Sequence, residues 1–314
     1  MTGAPAIVPN RKISGASAVL MTVNEDGSIS WSEFEQHLER TVQAGLAPAV
    51  NMDTGFGPYL SPAERTEVLT LTKSFGVKFI AGVHLDDQPG DVFNPDALLA
   101  QSVAVAASGA VPILFPSHGM SGLSESEVLG AHELVATEVD AFLGFELGPM
   151  FHPAGRIYSA DMFEGLLGIN AVVGLKHSSL RRDLEWERLE LCKRVRPDFQ
   201  MMTGNDLAID MVIYGSDYLL GLSTFSPAGF AARDAAWETG DTARFWELND
   251  LLQYLGQFAF RPPVPGYRHD AAMFLQAQGL LNSAHTHPLS PKRPDSDAPV
   301  LEEIAARLSV LLNQ

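Results

Sequence analysis

The sequence predicts a (β/α)8 barrel carrying a C-terminal helical extension, and three observations carry that prediction. Short apolar runs alternate with longer amphipathic segments across residues 16–222. The interval between successive runs is about 30 residues, the size of one βα unit, and eight such units make a barrel of about 250 residues. Strand signals cease after Ser223, and the rest of the chain reads as helices and loops. A doubly wound sheet is the competing architecture. It is disfavoured because no glycine-rich dinucleotide fingerprint follows any early strand.

The candidate strands cover residues 16–21, 47–52, 78–83, 110–115, 141–147, 171–175, 200–203 and 218–222. Each is a short apolar run of the kind that forms a buried parallel strand. The first helix, 32–44, places Phe34, Leu38, Thr41 and Val42 on one face. The second, 61–75, opens on Ser61-Pro62-Ala63-Glu64. Serine at the cap, proline at the first helical position and glutamate at the third satisfy the free amides of a helix start. Residues 94–108 open similarly on Asn94-Pro95-Asp96, and 124–137, 160–167, 183–194 and 206–214 complete the series. Beyond the barrel, helices are expected over 230–240, 242–258, 270–281 and 299–312, with the proline- and serine-rich stretch 285–299 as an exposed loop. The chain thus divides into a barrel, 1–225, and a helical region, 226–314, packed on it.

Composition narrows the function. The 314 residues are 46% hydrophobic and 19% charged, as in ordinary globular proteins. A formal charge of −17 argues against nucleic acid as a partner, because polyphosphate repels an acidic surface. The single cysteine, Cys192, excludes an intrachain disulfide and a cysteine zinc site, and its spacing from Trp186 and Leu189 suits helix packing. The N-terminus shows no basic region followed by an apolar stretch, and no run of about 18 apolar residues occurs. A cytoplasmic protein that engages no membrane is the expectation.

One lysine stands out chemically. Lys176 follows the apolar run Ala171-Val172-Val173-Gly174-Leu175 and precedes His177-Ser178-Ser179. An amine at the end of a buried strand is partly desolvated, which disfavours its ammonium form. A neutral amine can attack a carbonyl and form a Schiff base. The bland alternative is a lysine whose stem packs and whose head reaches water.

The surrounding motifs decide between these readings. Strand two ends in Val50-Asn51-Met52-Asp53-Thr54-Gly55-Phe56, with Leu60-Ser61-Pro62-Ala63-Glu64-Arg65 following. Ala81-Gly82-Val83 ends strand three, Gly174-Leu175-Lys176-His177-Ser178 ends strand six, and Gly204-Asn205-Asp206 follows strand seven. In order and spacing these resemble the dihydrodipicolinate synthase / N-acetylneuraminate lyase family of class I aldolases. That family carries Gly-Thr-Thr-Gly-Glu and Leu-Ser-x-Glu-Glu after strand two, and Gly-Ile-Lys-Asp/Glu-Ser at strand six. The resemblance implies a (β/α)8 barrel, commonly in a tetramer, so a homo-oligomer (tetramer or dimer) is expected. It implies an imine between Lys176 and C2 of pyruvate or another 2-oxo acid, with Thr54 and the amides around Gly55 holding the carboxylate. A hydroxyl and free N–H groups before a helix start suit an anion. Asp53, Asn205 and Arg156, the last in a Gly155-Arg156 pair, join the expected substrate-binding set. No metal or organic cofactor is implied, since the covalent imine itself is the electrophile.

The chain also departs from the family. Strand five usually ends in Tyr-Asn-Val-Pro, and its tyrosine relays protons; here Phe145-Glu146-Leu147-Gly148 occupies the place. Asp53 replaces the first threonine of the strand-two motif and Phe56 its glutamate. Glu146 and His118 are the candidate replacement proton carriers, with His84, His177, Tyr59 and Tyr158 as further possibilities. Strand alternation sends Phe145 and Glu146 to opposite sides, so Glu146 reaches the barrel only if the register shifts by one. Phe56, Phe115 and Phe151 suggest an apolar pocket. The expected function is a Schiff-base lyase, aldolase or dehydratase acting on a 2-oxo acid. The alternatives are a protein of this fold that binds an oxo acid without lyase activity, and a metal-dependent barrel enzyme using Asp53, His84, Glu146 and His177.

Overall fold

A computed structural model describes residues 5–313. Residues 1–4, where the reading of the N-terminus for a leader begins, and 314 lie outside the described part. Eight strands form one closed barrel in sequence order. They are β1 (Gly15–Ala18), β2 (Ala47–Val50), β3 (Ile80–Val83), β4 (Val111–Leu114), β5 (Phe142–Leu147), β6 (Val172–Ser178), β7 (Gln200–Thr203) and β8 (Asp217–Leu220). Every neighbouring pair is parallel, and β8 closes onto β1. The fold class read from the sequence is therefore the observed one.

Helices α1 (Trp31–Gln43), α2 (Pro62–Ser74), α3 (Pro95–Ala107), α4 (Glu125–Val135), α5 (Ala160–Leu167) and α6 (Arg182–Val195) follow the first six strands. Their starts are built as the sequence predicts. Ser61 and Glu64 form a reciprocal capping box at α2, Ser124 and Glu127 form another at α4, and Asn94 accepts the Ala97 amide at α3. Each such cap stabilises its helix by about 1 kcal/mol. Phe34, Leu38 and Thr41 of α1 are buried as expected. Full burial of one such leucine or phenylalanine contributes about 1.5–3 kcal/mol.

Two expectations change. Residues 206–214 do not form an α-helix; only the 3₁₀ segment Ile209–Tyr214 is helical. The Asn205 and Asp206 side chains take the Leu207 and Leu222 amides, which holds this stretch in a turn. Strand β6 runs on through Lys176 to Ser178, so the lysine lies inside the strand. His177, which follows, can stay in the strand because the buried Glu146 carboxylate meets it on the outer side.

After β8 come α7 (Pro227–Thr239), α8 (Thr242–Ala259), α9 (Tyr267–Ala277) and α10 (Ala298–Leu312). α7 packs on α1 and β1 and so completes the ring of helices around the barrel. The helical region expected from residue 226 thus has its first helix in the barrel layer, and the added helices begin at Thr242. Two apolar clusters result. One fills the barrel, with Ala16, Ala18, Ala49, Ile80, Ile113, Phe115, Leu143, Phe145, Met202 and Leu219. The other lies between strands and helices and includes Cys192. Among the described residues, no helix is long and apolar enough to cross a membrane.

Candidate active site

Strand register decides which side chains face the barrel interior. β5 and β6 pair as Phe145↔Lys176, Glu146↔His177 and Leu147↔Ser178, after a register shift between Phe142 and Leu143. Such a shift admits one extra residue and re-aims the strand beyond it. Phe145 belongs to the interior cluster, so Lys176 points inward beside it, and Glu146 and His177 point outward. The Lys176 Nζ sits 4.7 Å from the centre of the Phe145 ring. The residue is 5% exposed. Burial pushes its pKa down, and the charges of Asp53 and Asp206 oppose that shift without cancelling it. Gly204 makes the room: a Cβ there would lie 2.1 Å from Ser178 Oγ and 2.7 Å from Lys176 Cε. Gly204→Ala is expected to displace the lysine stem, destabilising the fold by about 1–3 kcal/mol through overpacking. Urea denaturation measures that loss.

The loop after β2 forms the second part of the site. Asn51 and Phe56 adopt left-handed backbone, at φ 52° and 56°, and the Phe56 and Gly57 amides turn back onto Asp53 and Met52 carbonyls. The Thr54 and Gly55 amides are left without an acceptor among the described residues. A side chain at Gly55 would meet the Val19 carbonyl at 2.9 Å. Two successive buried amides in a tight turn, with no acceptor of their own, are suited to a carboxylate.

The Thr54 hydroxyl is already engaged. Its Oγ1 is 2.7 Å from the Tyr267 hydroxyl, and that hydroxyl donates to Asp53 Oδ2 at 2.8 Å. A carboxylate only accepts, so the Tyr267 proton goes to Asp53 and the Thr54 proton goes to Tyr267. Thr54 therefore has no proton left for a substrate carboxylate, and that role passes to the amides. Arg268 pins the same loop by donating to the Asp53 carbonyl at 2.9 Å, its guanidinium over the Phe56 ring. Tyr267 stacks on Phe260, and Gly221 at the end of β8 leaves room for both rings.

Other expected site residues are placed elsewhere. Glu146, expected as a proton carrier, faces the helices. It accepts from His177 Nδ1 at 2.5 Å, Arg188 Nη2 at 2.8 Å and the Tyr158 amide at 2.9 Å. Burial pushes its carboxyl up, but His177 and Arg188 together prevail and hold it below the usual range. The correction follows from strand alternation: the shift between β5 and β6 falls before Leu143 and leaves Phe145 inward and Glu146 outward. Tyr158 donates its hydroxyl to the Phe145 carbonyl on that same outer side. Asp53 and His84 belong to the mouth and Glu146 and His177 to the outer layer, so the proposed metal set is divided. Arg156 spends its guanidinium on the carbonyls of Leu123, Met120 and Ser121. It braces the loop after β4 and is not free for a carboxylate. Asn205 shapes the turn after β7. His118 is half-buried against His152, 5.0 Å between rings, with its amide on Asp87. Tyr59 stacks on His287, outside the barrel. Phe115 and Phe151 do belong to the interior cluster or pack against it, whereas Phe56 lies in the outer core.

No family model matches the chain. A 4-hydroxy-tetrahydrodipicolinate synthase from Kosmotoga olearia is 24% identical over 262 residues, covering 80% of this chain and 85% of that protein. The crystal structure of a dihydrodipicolinate synthase from Thermotoga maritima superimposes with a TM-score of 0.80 at 15% identity, over 96% of this chain and all of the other. N-acetylneuraminate lyase from Mycoplasma synoviae gives 0.70 at 18% identity, over 96% and 98% of the two chains. In fold, and at 24% identity in sequence, the chain is similar to dihydrodipicolinate synthases, and its fold is also that of N-acetylneuraminate lyase.

Two interior groups of this barrel are not marked by the local sequence. Tyr267 lies about 90 residues beyond the lysine in a proline-rich turn, and nothing in its local pattern marks it as chemical. Asp206, the last residue of Gly204-Asn205-Asp206, reads from local pattern as a helix start. In the fold it is 4% exposed, and burial raises its pKa to about 7 despite the Leu222 amide and the Lys176 charge. His84 is inside too, donating from Nε2 to the Asn51 carbonyl at 2.6 Å and lying on Phe115. Burial lowers its pKa to about 4, so the ring is neutral near pH 7.

Proposed function

We propose that this protein is a Schiff-base-forming lyase, aldolase or dehydratase acting on pyruvate or a related 2-oxo acid. The observation that supports it best is Lys176: a desolvated amine on β6, aimed into a closed barrel of the fold that these lyases share. In this reading the Thr54 and Gly55 amides hold the 2-oxo acid carboxylate. The substrate's C2 carbonyl then meets the Lys176 Nζ. Loss of water leaves a protonated imine, which withdraws electrons from C3. A C3–C4 bond breaks or forms, or a leaving group at C4 departs as water. The aromatic pair Phe115 and Phe145, 4.9 Å apart, gives the substrate's far end an apolar wall. This favours partners less polar than a sugar chain.

Borohydride reduction in the presence of pyruvate and a panel of larger 2-oxo acids tests the reading. A substrate-derived mass gain confined to the peptide carrying Lys176 is expected for at least one acid. Absence of an adduct across the panel would refute it.

A further inference from the structure

Phe56 is a bulky residue in left-handed backbone, at φ 56°, a conformation that such a side chain keeps only where its surroundings hold it. The turn it makes folds the Phe56 and Gly57 amides back onto Asp53 and Met52 and leaves the Thr54 and Gly55 amides unpaired. Two side chains from the C-terminal region hold the Phe56 ring. The Arg268 guanidinium of α9 lies 4.9 Å from its centre, and His287 lies 5.6 Å from it while stacking at 5.0 Å on Tyr59. His287 belongs to residues 282–294, a strap without helix or strand that follows α9.

Two histidines fasten this strap, and both do so as acceptors. His287 Nδ1 accepts the Leu289 amide at 3.2 Å, and the His287 carbonyl accepts the Ser290 amide at 2.8 Å, which fixes the turn that presents the ring. His269 of α9 accepts the Arg293 amide on Nδ1 at 2.8 Å. An accepting Nδ1 carries no proton, so both rings are neutral with their proton on Nε2. Protonation would turn each acceptor into a donor facing an N–H group. We propose that His287 and His269 are positioning residues that dock the strap on the β2–α2 turn only as neutral rings, so that acid releases the strap and loosens the turn. The importance of that turn, as the holder of a carboxylate, rests on the imine reading.

The charges around both rings agree with this. Phe56 and Tyr59 face His287 from the turn, Glu64 from the start of α2 and Arg268 from α9. The Glu64 carboxylate is already engaged by the Ser61 amide and hydroxyl. Burial and then Arg268 hold the His287 pKa below its ordinary 6.5, against Glu64. Burial, Lys292 and Arg293 do the same for His269, and Asp295 and Asp297 oppose them without cancelling them. A depressed pKa means that docking is at full strength above 6.5 and weakens as pH falls below it. Asp270 accepts from Arg293 Nε at 3.0 Å, and burial raises its pKa to about 7. A carboxyl that binds its proton more tightly in the folded protein is not loosened by acid, so release falls to the two histidines. With released rings titrating at the ordinary value, docking weakens at pH 5.5 by up to about tenfold per histidine, and about 10²-fold for both.

Hydrogen exchange on the whole protein, with exchange times scaled for the intrinsic effect of pH, reads the strap directly. Between pH 7.5 and 5.5, protection over 282–294 is expected to fall by about tenfold or more, protection over 53–60 to fall with it, and α3 to stay unchanged. His269→Asn keeps an acceptor that takes no proton, and His287→Phe keeps a ring on Tyr59 that takes none. The double variant should therefore hold at pH 5.5 the protection it has at pH 7.5, and each single variant should lose less than wild type. Wild-type protection that does not change with pH, or an equal fall in wild type and double variant, would overturn the proposal and leave the imine reading intact. The concentration of 2-oxo acid that gives half-maximal borohydride labelling should rise between the two pH values by a larger factor in wild type than in the double variant. Equal rises with a released strap would overturn the link to the turn. A wild type that takes no label at either pH would refute the imine reading, and the exchange result would still decide whether the histidines release the strap.

Discussion

Replacing Lys176 by methionine is expected to abolish borohydride-trapped adduct and to lower turnover by about 10⁴-fold or more, because the covalent electrophile is lost. Methionine is the informative choice. It fills nearly the same volume beside Phe145, and such swaps usually cost less than about 1.5 kcal/mol. The melting temperature should therefore stay within a few degrees of wild type, and circular dichroism should be unchanged. Loss of adduct with a retained fold isolates the amine from the architecture. Arginine would not serve as well, because it keeps a charge and needs more space where Gly204 leaves room for the lysine stem alone. If the methionine variant trapped substrate on another lysine at the wild-type rate, the assignment of Lys176 would be wrong.

The largest stability effect is expected from Arg188→Met. Arg188 is 3% exposed and bonds both oxygens of Glu146, which is itself fully buried, along with the Tyr158 carbonyl at 2.6 Å. Removing one partner of a buried pair leaves a desolvated charge, which costs about 3–5 kcal/mol. His177 would remain on Glu146 and soften the loss, so the lower end of that range is expected by urea denaturation at pH 7. The pH dependence has a definite sign. The pKa of Glu146 is depressed in the folded protein, so its contribution is present above the ordinary glutamate value of 4.5 and is lost as pH falls through the folded-state pKa. Arg188→Met removes a cause of that depression. The gap between wild type and variant should therefore narrow as pH drops below 4.5. A constant gap would mean that the variant acts through lost packing on Phe163, 4.9 Å from the guanidinium, and not through charge. Adding Glu146→Gln to Arg188→Met should recover part of the loss at pH 7, since the stranded charge is then gone.

This outer network also bears on the site. Ser179, His177 and Glu146 lie in hydrogen-bond sequence, at 2.6 and 2.5 Å, which resembles a nucleophile, base and acid. His177 is fully buried and Ser179 is 7% exposed, so no substrate reaches them from the helix side. Their effect is to tie β6 to β5 and α6. Lys176 lies between two residues on that strand, and its direction depends on the anchoring.

The barrel was legible in the sequence because it depends on local pattern. Eight apolar runs, helix starts such as Ser61-Pro62-Ala63-Glu64 and the period of about 30 residues are properties of neighbouring residues, and parallel strands joined by helices have few ways to close. Lys176 drew notice as an amine following five apolar residues, but that segment alone also suits a lysine whose head reaches water, and only the motifs after strands two, three and seven favoured the chemical reading. Phe145 could be placed inward from alternation, while the accompanying Glu146 remained open because one residue of register separates inside from outside. Only the pairing with β6 resolves that choice. Arg156 read as a ligand from its Gly-Arg context, yet a guanidinium goes wherever carbonyls lie within reach, and the loop after β4 supplies three. Tyr267 was invisible because its partners, Asp53 and Thr54, lie more than 200 residues away in sequence (213 for Thr54). By itself, then, the sequence determined the fold class, most of the order of elements and the lysine on which the proposed imine rests. Tertiary structure alone decided which polar groups share the barrel with that amine, because hydrogen bonds and desolvation act over a few ångströms of space and take no account of separation along the chain.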